Sequence, residues 1–110
     1  MRILFDQGTP VAIRDALQNH LVRTAHAQGW STLTNGELLH VAERAGFDVQ
    51  LTTDGNLLHQ QSLRGRKLAV VVLTKNRWAL VERRIKEIVA AIDSAKPGTY
   101  SIVDIPDLSK

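Results

Sequence analysis

The six residues Leu68-Ala69-Val70-Val71-Val72-Leu73 form the longest uninterrupted apolar run in this chain. β-Branched side chains fill its centre and favour extended backbone. The lack of any polar alternation suits a strand buried on both faces, which is the situation of an inner strand in a parallel sheet. Six residues are far short of the ~20 that a bilayer-spanning helix needs, and the amino terminus shows no basic-then-apolar leader pattern. The expectation is a soluble, cytoplasmic protein with no membrane association. At 110 residues the chain has room for one hydrophobic core, so residues 1–110 are expected to form a single domain.

The segments around that run alternate between the two periods. Arg2-Ile3-Leu4-Phe5 reads as a strand ending at Asp6. Gly8-Thr9-Pro10 then supplies a turn, a cap and a proline at the first helical position, and Ile13, Ala16, Leu17 and His20 follow at helical spacing. Leu21–Ala25 is a second candidate strand. Thr34 and Glu37 form a T-x-x-E capping box ahead of an apolar stripe of Leu38, Leu39, Val41, Ala42 and Ala45, and Gly46 ends the helix. Asp48–Thr52 reads as a strand, Asp54-Gly55-Asn56 as a turn and Leu57–Ser62 as a short helical piece. Asn76 is the predicted cap of a long helix over residues 77–95, in which Trp78, Val81, Ile85, Ile88, Val89 and Ile92 form a core-facing stripe. Lys96-Pro97-Gly98 stops it, and residues 99–105 form a last strand. This order predicts an α/β fold in three layers, α/β/α, with a mostly parallel sheet of four or five strands.

Cysteine is absent, which excludes disulfides, thiolate metal sites and cysteine nucleophiles. Charge is unevenly spread. Residues 64–86 hold Arg64, Arg66, Lys67, Lys75, Arg77, Arg83, Arg84 and Lys86 against Glu82 alone, while the segments on either side are net acidic. A basic stretch of this kind attracts a polyanion such as an RNA backbone, and Arg64, Arg66, Lys67, Lys75 and Arg77 are the candidates for holding it; solvation of a loop and a helix face is the competing reading.

Ligands of open parallel sheets gather at the carboxyl ends of the strands. Asp6 and Asp54 follow two such ends, and Glu37 opens a helix whose amino terminus faces the same edge. Three carboxylates there make a hard-oxygen site suited to Mg2+ or Mn2+, ions that support hydrolysis of phosphate esters. Each acid also has a structural reading: Glu37 completes the capping box, Asp54-Gly55 closes a turn or a hairpin, and Asp6 caps the turn before Pro10. Trp78 belongs with the core, Trp30 with loop packing. Neither a phosphate-binding P-loop nor a dinucleotide fingerprint is present.

The motifs Ile3-Leu4-Phe5-Asp6-Gln7-Gly8-Thr9-Pro10, Thr34-Asn35-Gly36-Glu37-Leu38-Leu39 and Thr52-Thr53-Asp54-Gly55-Asn56, in this order and over nearly the whole chain, resemble a bacterial PIN-like family of small proteins. The resemblance implies a metal-dependent ribonuclease, the toxin of a toxin-antitoxin pair, with Asp6, Glu37 and Asp54 as catalytic metal ligands for Mg2+ or Mn2+. The chain departs from the family pattern at Gln7, Gly8 and Asn56. Asn56 stands where a further acid is expected, and it offers an uncharged amide oxygen as a fourth ligand. The partners expected are RNA, an antitoxin protein and, as an open alternative, a second copy of the chain. A weak or inactive PIN-like module that binds RNA or a protein through its basic surface is the alternative function.

Overall fold

The apolar run lies where its composition demands. In the computed structural model, which describes residues 1–57 and 62–107, it forms β4 (Ala69–Leu73), buried along its whole length. β4 is flanked by β3 (Val49–Thr52) and by β5 (Tyr100–Val103), and β1 (Arg2–Phe5) and β2 (Leu21–Thr24) complete the sheet on the other side. All five strands are parallel, in the order β2-β1-β3-β4-β5. Parallel pairing of β3 with β4 removes the hairpin reading of Asp54-Gly55. The short helical piece expected over Leu57–Ser62 lies mostly outside the described residues.

Both faces of the sheet are covered. On one, Leu38, Leu39 and Ala42 of α1 (Asn35–Arg44) pack with Phe47 and Leu63 against Leu4, Val70 and Val72. On the other, Ile13 and Leu17 join α2 (Trp78–Val81) and α3 (Ile85–Asp93) over Ile3, Phe5, Val49, Leu51, Val71 and Leu73. No helix among the described residues is long and apolar enough to cross a membrane.

α1 is closed at both ends by its own sequence. The Thr34 hydroxyl accepts from the Glu37 backbone N–H, and the Glu37 carboxylate accepts from the Thr34 N–H at 2.9 Å. At the other end Phe47 N donates to Ala42 O and Gly46 N to Glu43 O, the paired bonds of a Schellman turn. Gly46 adopts φ +86, the left-handed conformation that this turn needs and that glycine reaches without a Cβ penalty. Thr34→Ala is therefore expected to lower stability by about 1 kcal/mol, read as a drop in the urea midpoint at unchanged slope.

Several local expectations are corrected. The segment after Pro10 is a six-residue 3₁₀ turn, Val11–Ala16, in which only Ile13 is buried, and Pro10 occupies the cap position itself. Thr9 does not cap it; its hydroxyl is buried and donates to Leu51 O across the sheet. The long helix is broken by a 3₁₀ turn over Glu82–Arg84, and its cap is Arg77, not Asn76. Three residues at 120° instead of 100° per residue turn the helix face by about 60°. Val81, Ile88 and Ile92 stay buried while Trp78 swings out to 37% exposure, so Trp78 is not a core residue. Trp30 meets the Phe47 ring edge-on, at 6.1 Å between centroids, and does pack in its loop.

Candidate functional site

In this strand order the chain reverses its direction of travel between β1 and β3, and that boundary is where doubly wound sheets open a crevice at their carboxyl edge. Asp6 follows β1 and Asp54 follows β3, so both acids stand at the switch point. Gly8 holds the β1 loop close to its neighbour: it has φ +85, and a Cβ there would lie 3.2 Å from the Thr53 hydroxyl. Glycine at this position thus suits both the backbone and the close approach.

Thr52 joins the two acids. Its hydroxyl donates to Asp6 Oδ2 at 2.9 Å and accepts from the Asp54 backbone N–H at 3.1 Å. Asp6 Oδ1 accepts from Gln7 N at 2.7 Å. Asp54 is fixed from two sides, by Asn56 N on Oδ1 at 3.0 Å and by the Asn35 side-chain amide on Oδ2 at 2.9 Å. Asn35 is the first residue of α1, so the helix start is tied to the end of β3 through Asp54.

Burial raises the pKa of the Asp6 carboxyl, and the negative charge of Asp54 pushes in the same direction; hydrogen bonds from the Thr52 hydroxyl and Gln7 N, with the nearby Gln50 amide, work against the shift. Glu37 behaves differently. It is exposed, and the Thr34 bonds of the capping box lower its pKa. Among the described residues no three His, Cys, Asp or Glu side chains stand together as a potential ion site. The structure thus brings Asp6 and Asp54 to the same edge of the sheet, joined through Thr52, and leaves Glu37 with its cap. Asn56 serves through its backbone, in a turn closed on Asp54 Oδ1.

Of the three carboxylates expected to hold Mg2+ or Mn2+, two, Asp6 and Asp54, stand together at this edge, and the third, Glu37, does not. The donor chemistry is hard oxygen, and one buried polar group beside it is orphaned: Gln50 is fully buried and neither atom of its amide has a hydrogen-bond partner. Asp6 also walls an open cavity of about 300 Å³ at the ends of β1 and β2, shared with Gly8, Thr24 and His26. Asn35 and Gln50 are the residues beside these acids that sequence reasoning missed. The signal for Gln50 was legible, an amide between Val49 and Leu51 in a strand buried along its whole length.

The basic stretch is divided by β4. Arg64, Arg66 and Lys67 precede that strand and Lys75 and Arg77 follow it, so the two groups stand at opposite edges of the sheet, about 16 Å apart at ~3.3 Å per residue. Arg66 is already engaged: its guanidinium donates to Glu43 at 3.0 Å, and the same carboxylate accepts from Lys67 N at 2.6 Å. Of the five basic candidates, Lys75 and Arg77 share the edge that carries Asp6 and Asp54. No protein-family model matches the sequence, and no curated protein or solved structure matches it either.

Proposed function

We propose that the chain is a PIN-like, divalent-cation-dependent ribonuclease whose ion is held by Asp6 and Asp54. The observation that carries this reading is the meeting of these two acids at the sheet's switch point, one of them half-buried and raised in pKa by that burial and, to a lesser degree, by the other's charge. Both are oriented before any ligand arrives: Thr52 and Gln7 fix the Asp6 carboxylate, and Asn35 and Asn56 fix that of Asp54. A Mg2+ or Mn2+ ion at such a site supplies charge neutralisation at the phosphoryl oxygens and acidifies a water. Lys75 and Arg77, on the same edge, hold the flanking phosphates, while Arg64 and Arg66 lie too far round the sheet to join them. An antitoxin protein covering this edge would silence such a nuclease, which is the setting of a toxin-antitoxin pair.

A second reading has its own support. With Glu37 committed to its cap, two carboxylates carry less charge than a phosphoryl-transfer ion usually meets, which favours a module that binds RNA or a protein without cutting. One experiment separates the two. Mixed RNAs incubated with the protein and Mn2+ are expected to be cleaved, with loss of cleavage on chelation and a fall of about 100-fold or more in Asp54→Asn. RNA retention without cleavage, at any Mn2+ concentration, establishes the binding module instead. In either case the Lys75→Ala, Arg77→Ala double variant should weaken RNA binding and flatten its salt dependence, the log–log slope falling by about 0.7 for each phosphate that is no longer neutralised, with Arg64→Ala close to wild type.

A further inference from the structure

Gln50 is difficult to explain as a core residue. It sits in β3 between Leu4 of β1 and Val70 of β4, its neighbours in register, and those two pack on the α1 face of the sheet. The residue has no solvent exposure, and its amide nitrogen and oxygen are both without a partner. Buried amides are hydrogen-bonded in nearly all folded proteins, and leaving one unsatisfied costs about 1–3 kcal/mol. Leucine or valine would fill the same position without that cost.

The surroundings of the amide explain its presence. Successive residues of a strand alternate between faces, so Gln50 and Thr52 project to the same side, and the Thr52 hydroxyl is bonded to Asp6. The Gln50 side chain lies near enough to the Asp6 carboxyl to act on it as a hydrogen-bond donor, although no bond of good geometry forms. The orphaned amide therefore lies beside Asp6, buried on the same face of β3 as the Thr52 hydroxyl that joins Asp6 to the Asp54 backbone.

We infer that Gln50 supplies the third protein donor of the cation site, its amide oxygen ligating the divalent ion that Asp6 and Asp54 hold, where Glu37 contributes nothing. The inference rests on the two-carboxylate reading above. A neutral amide oxygen is an accepted ligand of hard cations, and it adds a donor without adding a third negative charge to a partly buried cluster. Coordination satisfies the oxygen and leaves the amide nitrogen free to turn towards Asp6.

The test is binding of Mn2+ alone, measured by calorimetry and by thermal shift on the full chain, with no RNA and no activity readout. Gln50→Met keeps the volume and removes the amide. It is expected to fold, to melt no lower than wild type without metal, and to bind Mn2+ at least ~10-fold more weakly. Gln50→Glu returns an oxygen ligand to the same place and should bind Mn2+ as tightly as wild type or more so, a rescue that a purely structural amide does not give. If wild type and Gln50→Met bind Mn2+ equally, Gln50 is no ligand and the two-carboxylate site stands. If wild type binds neither Mn2+ nor Mg2+, the metal reading falls and the role of Gln50 falls with it.

Discussion

Asp6→Asn is expected to leave the metal-free protein at least as stable as wild type and to abolish the stabilisation that Mn2+ gives it. An ion at 100 times its dissociation constant stabilises the folded state by about 2.7 kcal/mol, or roughly 10 °C for a domain of this size. That shift should be present in wild type and missing in the variant. The metal-free half follows from the raised pKa. Because Asp6 titrates in the folded state above its unfolded value near 3.8, the native chain holds the proton to higher pH than the unfolded chain does. Its contribution to stability therefore falls as pH rises from about 4 through the folded pKa, and the cost is fully present above that pKa. Asn removes that cost. Glu37 and Glu43 act with the opposite sign: their pKa values are lowered from 4.5, so what they contribute is present above that value and lost as pH falls through the folded one. Subtracting the pH–stability profile of Asp6→Asn from that of wild type isolates the Asp6 contribution. A variant that unfolds, in a protein that Mn2+ does not stabilise, would make Asp6 a structural turn residue.

The largest purely structural effect is expected at Leu39. It is fully buried on the inner face of α1, in the cluster that includes Leu4, Leu38, Phe47 and Val72. Leu39→Ala deletes three methylene-sized groups from this cluster and should cost about 2–5 kcal/mol, which at ~4 °C per kcal/mol lowers Tm by about 10 °C or more. Because α1 also delivers Asn35 to Asp54, the variant should lose Mn2+ stabilisation along with fold stability. Leu21→Ala is the control: Leu21 is 43% exposed on an edge strand, and the same truncation there should cost below about 1 kcal/mol. Equal losses at the two positions would mean that the α1 face is no more a core than the sheet's edge.

The strands were the most legible part of the sequence, and the reason is physical. A strand buried on both faces must be apolar at nearly every position, so Leu68–Leu73 announces itself, and the turns and helix caps on either side then set the alternation. The capping box at Thr34 and the Gly46 stop were equally readable, since each depends only on residues three or four apart. The 3₁₀ turns were not. Ile13, Ala16 and Leu17 satisfy a helical period whether the turn contains 3.0 or 3.6 residues, and only the short crossing from β1 to β2 selects the tighter form. Trp78 was misassigned through the same ambiguity one helix later. At the site, the order of elements was enough to place Asp6 and Asp54 on one edge. It was not enough to decide which way Glu37 faces, because the capping box and a metal site ask for the same residue at the same position. Asn35 was invisible for a different reason: its bond to Asp54 depends on the gap between a helix start and a strand end, and that gap is set by packing.

The sheet contains no hairpin, and this governs how the protein reaches its folded state. Its nearest strand neighbours in sequence are β1 and β2, whose register already joins Arg2 to Leu21; β1 must also wait for β3, with Ile3 meeting Val49. Every pairing therefore closes a long loop before it gains a ladder of hydrogen bonds, a topology that folds slowly for its length. The pairing with the longest loop, β1 with β3, is also the one that brings Asp6 towards Asp54. The electrostatic cost of the site thus falls on the step with the greatest entropic cost, and a chain synthesised to its midpoint already carries Asp6, Asp54 and three strands while it still lacks β4 and β5, which cover β3 and complete the sheet.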